Sequence, residues 1–69
     1  MKVSARNVLK GTVKTILVGA VNTEITLEVA PGLEVVAVIT KSSSEQLALA
    51  EGKEAYAVIK SSDVMIAVD

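Results

Sequence analysis

Two short segments, one near each end of the chain, combine hydroxyl groups with a positive charge. Ser4–Asn7 contains Arg6, and Lys60–Ser62 contains a lysine followed by two serines. An anion that stays fully deprotonated at neutral pH offers only acceptors, so its site needs cations, hydroxyls and backbone N–H groups. Both segments supply such donors. The residue types alone favour a plainer interpretation, in which the cations are solvated surface charges and the serines are turn residues.

The pattern of apolar and polar residues predicts the strands that position these segments. Val21–Val29 alternates strictly, which indicates a half-buried strand, and Val8–Val18 before it is rich in β-branched residues. Gly19 and Ala20 separate the two as a tight hairpin would, so we expect antiparallel pairing. Leu33–Thr40 is apolar on both faces, which indicates a strand covered on both sides.

The second half of the chain predicts one helix and two further strands. Ser42, followed three residues later by glutamate, forms a capping-box pattern that opens a short helix, and Gly52 is expected to end it. Ala55–Lys60 and Val64–Val68 have the composition of short strands. The predicted fold is therefore all-β, a five-stranded OB-like barrel with one short helix between strands 3 and 4, in one domain.

The residue types that are absent exclude several classes of function. The sequence has no histidine and no cysteine, so the usual hydrolytic triads, zinc sites and disulfides cannot form. No P-loop, Rossmann or nucleophile-elbow pattern is present. We therefore predict that the protein is not an enzyme and has no catalytic residue, no metal and no cofactor.

Charge and hydropathy argue against nucleic acid and membrane partners. The formal net charge is −1 and Tyr56 is the single aromatic residue, whereas an OB-type nucleic-acid binder needs a basic groove and aromatic rings for base stacking. No apolar run reaches the roughly eighteen residues of a membrane span, and the N-terminus lacks a signal-peptide pattern. We expect a cytoplasmic location.

The hydrophobic content predicts self-association. Half of the 69 residues are hydrophobic (51%), and small aliphatic side chains dominate. A domain of this size is close to the lower limit of independent stability, and it holds more apolar surface than one small core can bury. We therefore expect a homo-oligomer. A purely structural assembly module remains an alternative, because oligomerisation and anion binding would use the same surfaces.

The segments Ser4–Gly11 and Val58–Ile66 resemble the molbindin (Mop) family, and the resemblance spans nearly the whole chain. It implies a single transport-associated OB (TOBE)-type unit that binds molybdate or tungstate for intracellular molybdenum storage or homeostasis. It also implies a hexamer, built as a trimer of dimers, with oxyanions at the subunit interfaces.

The resemblance also implies which residues bind the anion. Ser4, Ala5 and Arg6 would come from one chain. Lys60, Ser61 and Thr40 would come from its neighbour, although Thr40 also fits a strand residue with a solvated hydroxyl. A second oxyanion site, formed largely by backbone amides, would lie at Gly19, Ala20 and Val21, where a glycine also fits an ordinary turn.

Overall fold

The chain forms one antiparallel sheet of four strands with a short helix between the third and fourth. The computed structural model describes all 69 residues. The elements are β1 (Asn7–Val18), β2 (Asn22–Ala30), β3 (Leu33–Thr40), α1 (Lys41–Gln46), β4 (Glu54–Ile59) and a 3-10 turn (Ser61–Asp63). The strand order in the sheet is β3-β2-β1-β4. The all-β class and the helix position are confirmed. Neither helical segment is long and apolar enough to cross a membrane.

β1 is long enough to pair with two different strands. Asn7–Thr12 is antiparallel to β4, and Thr12–Val18 is antiparallel to β2. The register slips between Val13 and Thr15, where Lys14 forms a bulge that increases the local twist. The start of β1 therefore lies beside the end of β4, and the β1–β2 hairpin lies at the opposite end of the sheet.

The core is small and is built on one face of β2. Val13, Ile25 and Leu27 are buried together with Thr23. Partly buried aliphatic residues pack around them: Ile16, Val29, Ile39, Leu49, Ala55 and Ala57. The alternation predicted for β2 is confirmed from Thr23 onward, whereas Val21 precedes the strand and is exposed. Only four of 69 residues are buried, so a single chain leaves most of its apolar surface uncovered.

Thr23 has a fully buried hydroxyl whose Oγ1 has no hydrogen-bond partner. A buried polar group without a partner costs free energy, so Thr23→Val should raise the free energy of unfolding by about 1 kcal/mol. Thr26→Val, on the other face of the same strand, is the matched control and should change it little. Chemical denaturation at one fixed protein concentration would measure both variants. A less stable Thr23→Val protein would show that the hydroxyl has a partner in solution.

The predicted fifth strand is wrong for the single chain. Val64–Val68 pairs with no strand and is exposed along its length, although its first residue, Val64, has an extended backbone. The sheet therefore stays open between β3 and β4. The expectation that β3 is covered on both sides is also wrong within one chain, since Val36 is 58% exposed and Val38 is 65% exposed.

The helix boundaries differ from the predicted ones. Thr40, not Ser42, is the N-cap, and its Oγ1 accepts a hydrogen bond from the Ser43 amide at 3.0 Å. α1 ends at Gln46 rather than at Gly52, because Ala48 two residues later has a left-handed φ of +51°, which an α-helix cannot continue through. Lys53 Nζ donates to the carbonyl oxygens of Leu47 and Ala48 at this end. Gly52 instead has a φ of +86° in the turn before β4.

Candidate anion-binding site

The pairing of β1 with β4 brings the two donor-rich segments of one chain together. Asn7 lies opposite Ile59, so the residues before β1 and after β4 emerge side by side at one end of the sheet. Their side chains line one open surface depression, formed by Ser4, Ala5, Arg6, Lys60, Ser61 and Ser62. Five of the six residues expected at the first anion site therefore lie together within a single chain.

The C-terminal side of the depression is a 3-10 turn preceded by Lys60. Lys60 is its N-cap residue, with extended backbone (φ −64°, ψ 133°) and no capping hydrogen bond from its side chain. The turn uses the amides of Asp63 and Val64, which donate to the carbonyl oxygens of Lys60 and Ser61. The amides of Ser61 and Ser62 precede these hydrogen bonds and remain outside them. The turn thus presents donors beside a cation.

The two cations of the depression have no carboxylate partner. Neither Arg6 nor Lys60 forms an ion pair or a side-chain hydrogen bond, and no carboxylate is among the residues that line the depression. Lys10 and Lys14 on β1 are also exposed, but each is paired with a glutamate. The depression is therefore a local positive site on a chain whose net charge is −1.

The paired lysines titrate differently from free ones. Lys10 Nζ lies 3.0 Å from Glu54 Oε2, and the hydrogen bond with Glu54 raises the pKa of Lys10. The hydrogen bond with Glu34 likewise raises the pKa of Lys14. Both lysines stay charged near neutral pH with their charge directed to a carboxylate, so neither offers a free cation for a bound anion.

Thr40 lies at the opposite end of the sheet from the depression. It pairs with Asn22 at the start of β2, next to the β1–β2 hairpin. Its hydroxyl donates to Ser43 Oγ at 2.7 Å while accepting from the Ser43 amide. Within one chain Thr40 therefore cannot join Arg6 and Lys60, and only a second chain would bring it to them.

The hairpin residues Gly19–Val21 partly use their own backbone groups. The Gly19 amide donates to the Asn22 carbonyl oxygen at 2.8 Å, and the Val21 carbonyl accepts from the Lys41 amide at 2.7 Å. A Cβ on Gly19 would lie 2.7 Å from the Asn22 oxygen, so this close approach explains the glycine. The amides of Ala20 and Val21 therefore remain available to a second anion site, whereas the Gly19 amide is already used in a hydrogen bond.

A search for related proteins assigns the family. The model of the TOBE domain matches residues 3–66, which is nearly the full length of the chain. The chain belongs to the TOBE domain family. This confirms the resemblance described for its two terminal segments.

Relatives of this TOBE chain carry names that refer to molybdenum. Molybdenum-pterin-binding protein 3 of Clostridium pasteurianum is 50% identical over 66 residues, which cover 96% of this chain and 97% of that protein. The structure of MopII from Clostridium pasteurianum matches with a TM-score of 0.92 and 45% identity, covering 97% of this chain and all of that one. These matches confirm the OB-type architecture, with four strands in place of five.

A third relative has been solved with its ligand. The cytoplasmic molybdate-binding protein ModG, with molybdate bound, matches with a TM-score of 0.89 and 49% identity. The match covers 94% of this TOBE chain and 46% of the ModG chain.

One lining residue of this TOBE chain was missed as a ligand candidate. Ser62 lines the depression together with Ser61, and the sequence signal for it is the pair of serines that follows Lys60. Both serines had been assigned to one donor segment, but only Ser61 was expected to bind the anion. The 3-10 turn places both of them at the depression.

Proposed function

We propose that this TOBE chain binds molybdate, or tungstate, at the depression between Ser4–Arg6 and Lys60–Ser62. The observation that carries the proposal is the convergence of two unpaired cations and three serines, with no carboxylate among them. A tetrahedral dianion needs this donor set because each of its oxygens accepts hydrogen bonds. The names of relatives with up to 50% identity support the choice of molybdate.

Each residue has a distinct role in the proposed site. Arg6 and Lys60 supply charge, and the planar guanidinium of Arg6 directs two parallel donors at neighbouring oxygens. Ser4 and Ser61 donate hydroxyl hydrogen bonds, and Ser62 adds a third hydroxyl beside them. Ala5 has no polar side chain, so it contributes through its backbone N–H. The site performs no covalent step, and the proposed activity is binding without catalysis.

The same donors select among tetrahedral oxyanions. Molybdate and tungstate have nearly equal charge and shape, so a set of donors accepts both. Phosphate carries a proton near neutral pH, and that proton would face a donor and weaken binding. Sulfate stays deprotonated but is smaller, so donors spaced for molybdate would contact fewer of its oxygens at good distances.

We propose a homo-oligomer, most simply a hexamer formed as a trimer of dimers, with a role in molybdenum storage or homeostasis in the cytoplasm. The exposed valines of β3 and the small core support self-association. Thr40 would reach an anion only across an interface, beside the depression of a second chain. The amides at Ala20 and Val21 would form the second site, at an interface between chains.

Native mass spectrometry with and without molybdate tests this proposal, because it reports subunit number and bound anions together. We expect an oligomer that gains molybdate in whole-number steps. Molybdate should also raise the melting temperature, since it binds the folded state and not the unfolded one. At about a hundredfold excess over Kd the gain is roughly 2.7 kcal/mol per site.

Sulfate at the same ionic strength is the control for general salt effects. An unchanged mass and melting temperature with molybdate would contradict the proposed function. A shift in melting temperature with single-stranded DNA instead would favour nucleic-acid binding. The sequence argues against that activity, because Tyr56 is the single aromatic residue on which a base could stack.

A second candidate function is a structural assembly module. It is favoured by the uncovered apolar surface, because Val36, Val38 and the segment after Asp63 are largely exposed in one chain. Under this alternative the oligomer would form without any anion and its stability would not respond to molybdate. The melting experiment therefore separates the two candidates.

A further inference from the structure

We propose that Lys41 supplies the positive charge of the second anion site, beside the free amides of Ala20 and Val21. The proposal rests on the proposed function, because it adds a binding residue to the second of its two sites. Three features of the chain carry it: a hairpin with free donors, the absence of a charge in that hairpin, and an unpaired lysine held against it. The lysine lies twenty residues after Val21, so the sequence alone does not connect them.

The β1–β2 hairpin has free donors beside carbonyl groups that are already used. The Asn22 carbonyl oxygen accepts from the Gly19 amide at 2.8 Å, and the Val21 carbonyl oxygen accepts from the Lys41 amide at 2.7 Å. The amides of Ala20 and Val21 donate to no group of the chain. An anion at these two residues would therefore meet two adjacent N–H groups, an arrangement that suits an acceptor-only ligand.

Two amides alone make a weak site for a dianion. A neutral N–H group contributes less to binding an anion than a donor that carries a charge. The hairpin offers no such donor, since Leu17–Asn22 contains no basic residue. The charge must therefore come from another part of the chain that lies against the hairpin.

Lys41 is the lysine that the fold holds against the hairpin. It follows Thr40, which pairs with Asn22 at the start of β2. The hydrogen bond from its own amide to the Val21 carbonyl oxygen fixes its backbone beside the free donors. The residue is exposed, and its flexible four-carbon side chain starts from that point. Its ammonium group can therefore reach an anion that contacts the amides of Ala20 and Val21.

Lys41 is also the one basic residue that is both unpaired and next to the hairpin. Of the seven basic residues, three have acceptors within the chain: Lys10, Lys14 and Lys53. Two line the depression at the other end of the sheet, Arg6 and Lys60, and Lys2 lies two residues before Ser4 of that depression. The Lys41 ammonium forms no ion pair, so its charge is free for a ligand.

Two carboxylates lie near this site in the sequence and limit the expected effect. Glu45 follows Lys41 by four residues in α1, and Glu24 follows Asn22 by two residues in β2. Neither forms an ion pair with Lys41, but their negative charge reduces the attraction for a dianion. We therefore expect Lys41 to contribute about tenfold to affinity, the lower end of what a charge-assisted hydrogen bond provides.

The backbone amides of α1 are not part of the proposed site. Those of Lys41 and Ser43 already donate to the Val21 carbonyl oxygen and to Thr40 Oγ1. The contribution therefore lies in the ammonium group, which Lys41→Met removes while leaving both backbone donors in place.

Amide chemical shifts test the proposal residue by residue. The ¹⁵N-labelled oligomer is titrated with molybdate, so that the amides of Ala20 and Val21 report the second site and those of Ser61 and Ser62 report the depression. We expect the Ala20 and Val21 amides to need about tenfold more molybdate in Lys41→Met than in the unchanged protein. The amides of Ser61 and Ser62 should respond at the same concentration in both proteins.

Two further variants make the result decisive. Lys41→Arg keeps the charge and should keep the affinity of the second site. Lys2→Met is the control for net charge, because Lys2 is exposed, unpaired and absent from both sites. The proposal is overturned if Lys41→Met weakens the hairpin response no more than Lys2→Met does, or if Lys41→Arg weakens it as much as Lys41→Met.

The titration also distinguishes failure of this proposal from failure of the proposed function. If the amides of Ala20 and Val21 stay unchanged in the unchanged protein while those of Ser61 and Ser62 shift, the depression binds molybdate and the second site does not exist. That result overturns the role of Lys41 alone. If the amides of the depression do not shift either, the proposed function itself is wrong.

Discussion

Replacing Arg6 or Lys60 with alanine should weaken molybdate binding by roughly tenfold to a hundredfold. Each substitution removes a charge-assisted hydrogen bond, and such bonds contribute about 1.5–3 kcal/mol. The effect should be large because neither cation has a carboxylate partner that would compete for it. Isothermal titration calorimetry of the folded oligomer measures the change.

Lys10→Ala is the matched control for the loss of one positive charge. Lys10 is exposed and paired with Glu54, so its removal should change affinity by less than about fivefold, and the change should fade with added salt. If Lys10→Ala weakens binding as much as Arg6→Ala does, only the general field of the protein matters. The depression would then not be the site.

Mixing the two variants shows whether the site lies within one chain or between two. The resemblance implies that Arg6 and Lys60 reach one anion from different chains, and the fold also brings them together within one chain. Co-refolding Arg6→Ala chains with Lys60→Ala chains would regenerate intact sites only in the shared arrangement. Restored binding would place the site between chains. Binding no better than in either variant alone would place it within one.

The strands of the first half were predictable because their pattern is local. β1 and β2 begin within one residue of the predicted positions, since alternation reports the face that a core will cover. The start of α1 was not predictable in this way, because Ser42 and Thr40 are both residue types that suit an N-cap. The backbone of Thr40 is extended at the end of β3, which places its hydroxyl on the Ser43 amide.

The fifth strand illustrates a different limit. Val64–Val68 has strand composition, and Val64 has an extended backbone, but composition does not say which edge the segment pairs with. The same limit applies to the candidate anion site, whose residues can be found in the sequence although their spatial arrangement cannot. The sequence supplied the donors in Ser4–Arg6 and Lys60–Ser62, whereas their convergence follows from the pairing of Asn7 with Ile59, a contact across most of the chain. Thr40 lies at the other end of the sheet because it pairs with Asn22 at the start of β2.

Gly11→Ala should lower the free energy of unfolding by about 1–3 kcal/mol. Gly11 lies where β1 passes from β4 to β2, opposite Ala55 in β4. A Cβ there would lie 2.5 Å from the Glu28 carbonyl oxygen and 3.0 Å from Leu27 Cγ. Because the first contact is with backbone, no rotamer change relieves it, and β1 and β2 must separate at the cost typical of overpacking. Chemical denaturation at fixed protein concentration measures the loss.

Comparing Gly32→Ala with Gly11→Ala separates the cost of a backbone conformation from the cost of a steric clash. Gly32 has a φ of +76°, but a Cβ on it would meet nothing within 4 Å, so only the left-handed conformation is penalised, by about 1 kcal/mol. We expect Gly11→Ala to be the more destabilising of the two. It should also weaken molybdate binding, because a shift of β1 changes the pairing with β4 that sets Arg6 beside Lys60. Equal losses of stability with unchanged affinity would show that β1 and β2 have room at Gly11 in solution.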